Sequence, residues 1–171
     1  MSPAAGAPGI GPAEPGLACV FVVGPTASGK TRLAVSLARR FGGEIVSADS
    51  RQVYRNLDLG TGKDLAEYGC GADRVPVHLV DVVGPDEAYH LFRFVADAQA
   101  ALRDIAARGR LPVVAGGSCL YVNALLGGYG LDGAPPAPEL RRGLEGLAAA
   151  ELIQILRREA PDLAARADSS Q

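Results

Sequence analysis

Leu17-Ala-Cys-Val-Phe-Val-Val23 runs directly into Gly24-Pro-Thr-Ala-Ser-Gly-Lys-Thr31, and a helical pattern follows. The first segment is a continuous apolar run of strand length, the pattern of a strand buried on both faces. The second fits GxxxxGK[ST], which requires a strand before it and a helix after it. Both are there. Leu33, Leu37 and Phe41 recur at four-residue spacing across 31–41, and Gly42-Gly43 ends the helix. In such a turn, glycine lets the backbone curl so that successive N–H groups point inward at phosphate oxygens. The helix N-terminus adds the positive end of its dipole, and Lys30 adds a mobile point charge. The Thr31 hydroxyl is the usual ligand for a Mg²⁺ bridging the same phosphates. Gly24, Pro25, Thr26, Ala27, Ser28, Gly29, Lys30 and Thr31 are thus the expected diphosphate- or nucleotide-binding residues.

Outward from this turn the chain alternates. Glu44-Ile-Val-Ser47 reads as a second strand, and 75–83 holds another, with Pro76 best placed at its start or on a sheet edge. His90 to Arg108 is the clearest helix, with Leu91, Phe94, Val95, Ala98, Leu102 and Ile105 on one stripe and Gly109 as its stop. Leu111-Pro-Val-Val-Ala115 is a further strand, entering Gly116-Gly117 and a helix over 118–126. The order implies an α/β fold with a parallel sheet, and with the phosphate-loop motif a P-loop NTPase-like three-layer core, incomplete, over 17–127. The first sixteen residues hold four Pro and four Gly and read as a disordered extension. After Gly127 comes a Gly- and Pro-rich linker, then two short helices at 138–147 and 149–160, interrupted at Pro161.

Composition narrows the functional classes. The 171 residues are 48% hydrophobic and 21% charged, enough to bury a core. No run of about 18 apolar residues exists, which excludes a membrane helix, and the N-terminal stretch lacks the features of a signal peptide. Cys19, Cys70 and Cys119 are far apart with no CxxC pair, so neither a disulfide framework nor a zinc site is expected, and a cytoplasmic location is. A net charge of -2 argues against a basic coat protein for nucleic acid, though not against a local basic groove.

A phosphate loop does not by itself name a reaction. Nucleotide hydrolysis calls for an acid ending a buried strand, and Val77-His-Leu-Val-Asp81 is the segment that offers one. The strand at 111–115 ends in Gly-Gly-Ser instead. Asp49-Ser-Arg-Gln52 follows the second strand and should face the phosphate loop, because ligands of open parallel sheets bind beyond the carboxyl ends of strands. Asp49 is therefore either a base for an attacking amine or hydroxyl, or a helix cap for the residues after it.

Four blocks taken together, GPTASGKT, EIVSADSRQVYRNLDLGTGKD, VPVHLVDVVGPDEAYHLFRF and RLPVVAGGSCLYVNALLGG, resemble the tRNA dimethylallyltransferases over about 17–158. The resemblance implies that the loop holds dimethylallyl diphosphate, that Mg²⁺ assists departure of diphosphate, and that the amine of a flipped-out adenine in the tRNA anticodon stem-loop attacks the allyl carbon. It assigns Thr26 to the oxygen bridging carbon and phosphorus, and Ser28 to Thr31 to diphosphate and metal. Asp49 becomes the base, opposite Lys30, and Ser50, Arg51 and Gln52 the loop that contacts the target nucleotides. Ser118 and Arg141 match residues that approach tRNA. Their other readings are a helix cap for Ser118 and a solvated helix charge for Arg141. Cys119 stands where the family has glycine, which puts a positive φ there in doubt. A monomer is expected.

His78 and His90 read as structural, Tyr54, Tyr89 and Tyr121 as packing residues with base stacking as the alternative, and Lys63, in Gly60-Thr-Gly-Lys-Asp64, as a residue of a loop facing substrate, with a phosphate contact as its alternative. Family members are nearly twice as long, so the chain reads as a truncated one whose helical insert has only begun, with weak tRNA binding expected. Alternatives are prenylation of free adenine nucleotides, a small-molecule kinase, or an inactive fragment.

Overall fold

The computed structural model describes residues 17–63, 65–127 and 137–165. The expected N-terminal extension and the linker lie outside them. The described residues form two compact units, one up to Asp132 and one from Gly133 onward.

The first unit is built on four parallel strands: β1 (Val20–Val23), β2 (Glu44–Ser47), β3 (Val77–His78) and β4 (Pro112–Gly116), in the spatial order β1-β4-β2-β3. Helices cover both faces because residues alternate sides along each strand. Ile45 and Val113 pack with Ala34, Val35 and Ala38 of α1 (Lys30–Phe41). Val46 and Val114, one residue further on, pack against α3 (Leu91–Ala107) and α4 (Cys119–Leu125) on the other side. This is the three-layer α/β core that the alternation of elements implies.

Two strands differ from the sequence reading. β1 lies at a sheet edge among the described residues, and of its four residues only Val22 is buried while Val23 is exposed, so the strand is less buried than its apolar run implies. β3 stops after two residues because Leu79 and Asp81 adopt left-handed backbone, with φ of 63° and 57°. Pro76 precedes that edge strand, and its carbonyl accepts a hydrogen bond from the Ile45 N–H. The stretch between β2 and β3 holds a four-residue helix, α2 (Asp58–Thr61), and 3₁₀ turns at Leu65–Tyr68 and Gly71–Asp73, none of which the apolar periodicity shows.

In the second unit, α5 (Pro138–Leu144), α6 (Ala149–Glu159) and α7 (Pro161–Ala164) follow one another. Pro161 opens α7 at a position where its missing N–H costs nothing. No side chain among the described residues of these helices is fully buried.

Candidate active site

The carboxyl ends of β1, β2 and β4 meet around one cleft of about 530 Å³. Its wall includes all of Thr26 to Arg32, together with Asp49, Arg51 and Gln52. The loop after β1 enters with Gly24 and passes through Ala27 and Gly29 in left-handed conformations, φ 60° and 81°. For Ala27 that conformation costs about 1 kcal/mol, and it bends the backbone towards the N-terminus of α1. The Lys30 ammonium donates to the Pro25 carbonyl, so the loop folds over its own cation.

The loop after β2 is held from two sides. The Asp49 carboxylate accepts the Arg51 N–H at 2.9 Å, a turn closed by the side chain, and no helix follows. The helix-cap alternative for Asp49 is thereby excluded. Ser118 Oγ accepts the Ser50 N–H at 3.0 Å and donates to Ser50 Oγ at 3.3 Å. Ser118 stands at the N-terminus of α4, yet its hydroxyl makes no cap to that helix. It joins the loops after β2 and β4 instead.

That junction is possible because of Gly116. A Cβ there would sit 2.2 Å from the Ala48 carbonyl oxygen, deep inside contact distance. The Ala48 N–H donates to the Ala115 carbonyl, and the Ala48 carbonyl accepts from the Ser118 N–H. Cys119 is the first residue of α4, and its φ is not positive, so a side chain in place of the family glycine fits.

Gly60 to Gly62 line the cleft, in the loop expected to face substrate, whereas Ser47, Glu67 and Tyr68 escape the sequence reading. Burial, reinforced by the charges of Glu67 and Asp49, pushes the Tyr68 phenol up to about 12, so it remains an O–H donor through neutral pH. The signal for the glycine wall was the Gly-Thr-Gly run itself. Nothing local marks Tyr68.

Other expected residues lie elsewhere. Pro25 and Gly24 flank the cleft without lining it, and Arg141 is exposed on α5 in the second unit. Asp81, the acid offered for metal binding, ends no buried strand. Its carboxylate accepts from the buried Lys63 ammonium, which also bonds Asp58, so Lys63 is not free for a phosphate. Tyr121 stacks on Phe94 with centroids 3.8 Å apart, Tyr89 donates to Asp97 at 2.9 Å, and His90 Nδ1 caps α3 by accepting the Arg93 N–H. These are structural roles, as the sequence suggested.

The site is thus a glycine-rich turn with one lysine facing a loop with one carboxylate, on a P-loop-like α/β sheet, and that class is wider than one activity. The comparisons narrow it. The family model described as IPP transferase matches residues 52–171, and that described as isopentenyl transferase matches 18–83. The chain belongs to the IPP transferase family. It is 50% identical over 137 residues to tRNA dimethylallyltransferase 1 of Porphyromonas gingivalis, covering 80% of this chain and 45% of that protein. The full-length tRNA isopentenylpyrophosphate transferase of Bacillus halodurans superposes with a TM-score of 0.60 at 37% identity, over 90% of this chain and 51% of the other. A eukaryotic dimethylallyltransferase acting on tRNA shares the fold, with a TM-score of 0.70 at 24% identity, over 90% of this chain and 38% of the other. The chain spans about half the length of the curated relatives it matches. No described helix is long and apolar enough to cross a membrane.

Proposed function

We propose that this chain acts in transfer of a dimethylallyl group from dimethylallyl diphosphate to N6 of the adenosine 3′ of the anticodon in tRNA, as a monomer in the cytoplasm. The observation that carries the reading is the sharing of one cleft by the anion loop and Asp49. The N–H groups of 28–31 and the Lys30 ammonium hold the diphosphate, and Thr26 sits near the oxygen that bridges to carbon. The N6 lone pair forms a bond to the allylic carbon as the carbon–oxygen bond breaks, its electron pair leaving with diphosphate. Asp49 takes the N6 proton. An allylic cation is stabilised by resonance, so the protein's task is to neutralise the leaving group and aim the nucleophile.

Mg²⁺ suits this donor set in one way only. No cluster of carboxylates or imidazoles among the described residues is built to hold a metal, whereas Thr31 offers a hard oxygen in the cleft. An ion held by that hydroxyl, diphosphate oxygens and water follows the usual habit of Mg²⁺, and when bound it would supply charge neutralisation of the leaving diphosphate. Arg51 and Gln52 line the cleft, Ser50, next to them in the chain, is bonded to Ser118, and these four are the residues for the entering adenosine, with Arg141 for the RNA backbone. The test is transfer of labelled dimethylallyl to an anticodon stem-loop, with Asp49→Ala as control. Transfer lost in the variant supports the reading. ATP turnover without use of allyl diphosphate would replace it with a kinase, and modification of free AMP but not RNA with a nucleotide prenyltransferase.

A further inference from the structure

We infer that Lys63 is a positioning residue, a buried ammonium that latches the loop walls of the cleft, and this inference rests on the function proposed above. Its side chain is fully buried, although Lys is among the residues least often found so. It makes three bonds, two within the wall at 54–58 and one to the loop after β3. They are to the Tyr54 carbonyl at 2.8 Å, to Asp58 Oδ1 at 2.9 Å and to the Asp81 carboxylate. A buried ammonium has three donors, and here each has an acceptor.

Each partner leads to a different part of the site. Tyr54 lies two residues beyond Gln52, and the stretch is tied to the neighbouring loop by Asp81 N–H to the Gln52 carbonyl and by Val82 and Val83 N–H to the Val53 carbonyl. Asp58 begins α2, whose end, Gly60 to Gly62, lines the cleft. Asp81 has a left-handed backbone that turns its carboxylate off the line of β3. Arg55 fastens the outside of the same corner by donating to the Asp81 and Val82 carbonyls at 2.8 and 3.0 Å. Without the ammonium, two carboxylates would face each other at the base of α2, and the wall would keep the Arg55 bonds but lose its buried side-chain tie to Asp81.

Burial by itself would lower the Lys63 pKa, but the bonds to Asp81 and Asp58 outweigh it and hold the pKa above the ordinary value. The latch therefore remains charged across neutral pH. Lys63 touches neither the anion loop nor the space where the adenine would lie, so its effect reaches the chemistry through the position of 52–62.

The test compares Lys63→Met and Asp58→Asn with the unaltered chain by amide hydrogen exchange, inorganic diphosphate titration and transfer kinetics. In Lys63→Met, exchange across 53–62 should quicken at least tenfold, while β2 and β4 keep their protection. Diphosphate affinity should stay within threefold and kcat should fall about tenfold or more, with KM for allyl diphosphate little changed. Asp58→Asn, altered at an exposed carboxylate, should loosen 57–62 alone and to a smaller degree. Unchanged exchange at 53–62 in both variants overturns the inference. So does quickened exchange throughout the sheet, since Lys63 would then support the whole fold. If the unaltered chain transfers no allyl group, the functional reading falls, and the exchange result still decides the latch.

Discussion

Lys30 and Asp49 carry opposite charges into one cleft, and they should fail in different ways when removed. Lys30 is a cation on a flexible stem whose present partner is a carbonyl of its own loop. On the function proposed above, replacing it with Met should remove a charge-assisted contact to diphosphate worth about 1.5–3 kcal/mol, or roughly 10- to 100-fold in affinity. Isothermal titration with inorganic diphosphate reads that loss directly. Asp49→Asn should leave diphosphate affinity unchanged or slightly raised, because a negative charge near the anion has gone. Its cost falls on proton transfer, about 10²- to 10⁴-fold in kcat at saturating substrate. A variant that lost binding and turnover together would place Asp49 on the diphosphate instead. At this scale the placement of the turn after β1 was legible, since Thr26 to Thr31 line the cleft, while Gly24 and Pro25 only flank it. Asp49 was half legible: the sequence left a cap and a base open, and the Arg51 N–H bond with no helix beyond it removes the cap. Tyr68 was illegible, because it reaches the cleft from a 3₁₀ turn nineteen positions after Asp49 in the chain.

At the scale of elements, the ends of β2 and β4 decide whether the cleft exists. Gly116 ends β4 where the Ala48 carbonyl occupies the space of a side chain. Gly116→Ala must push that carbonyl away, breaking the pairing of Ala48 with Ala115 and the bond from the Ser118 N–H. The expected cost is about 3 kcal/mol, seen as a lower denaturant midpoint, with loss of transfer even at temperatures where the variant stays folded. Gly117 offers a comparison, since a Cβ there meets nothing closer than the Gly24 carbonyl at 3.4 Å. Gly117→Ala should therefore be milder by the same measurement. Elements with strong periodicity were legible in this way: α1 and α3 fall within a residue or two of expectation, because their apolar stripes are what packs them on the sheet. β3 was not. Val75 to Val83 is apolar enough for a long strand, but Leu79 turns into a left-handed conformation there, a choice set by contacts with the rest of the core that no local pattern records.

Across the whole molecule, chemistry and anchorage lie at opposite ends of the sheet. The cleft opens at the carboxyl ends of the strands, while Glu44, at the amino end of β2, is buried and bonds to side chains from two other elements. Its carboxylate accepts from Arg108 Nη2 at 2.9 Å, beyond the end of α3, and is bonded to His78 Nε2 of β3 at 2.8 Å. The Arg108 hydrogen bonds, opposed by burial and aided by His78, hold the Glu44 carboxyl at about 2, against 4.5 for an ordinary one. A carboxyl whose pKa is lower in the folded state than in the unfolded chain binds its proton more readily when unfolded. Its contribution is therefore complete above about pH 4.5 and disappears as the pH falls from there towards 2. From the size of the shift, that contribution is about 3 kcal/mol at neutral pH. Urea unfolding of the unaltered chain and of Glu44→Gln, repeated from pH 7 to pH 2, measures it. The gap between the two should be constant down to about pH 5 and then close steadily in acid. Diphosphate affinity at pH 7 should be the same in both, because Glu44 touches nothing in the cleft. A gap that persisted unchanged at pH 2 would mean that the Glu44 side chain stabilises by packing, not by its charge.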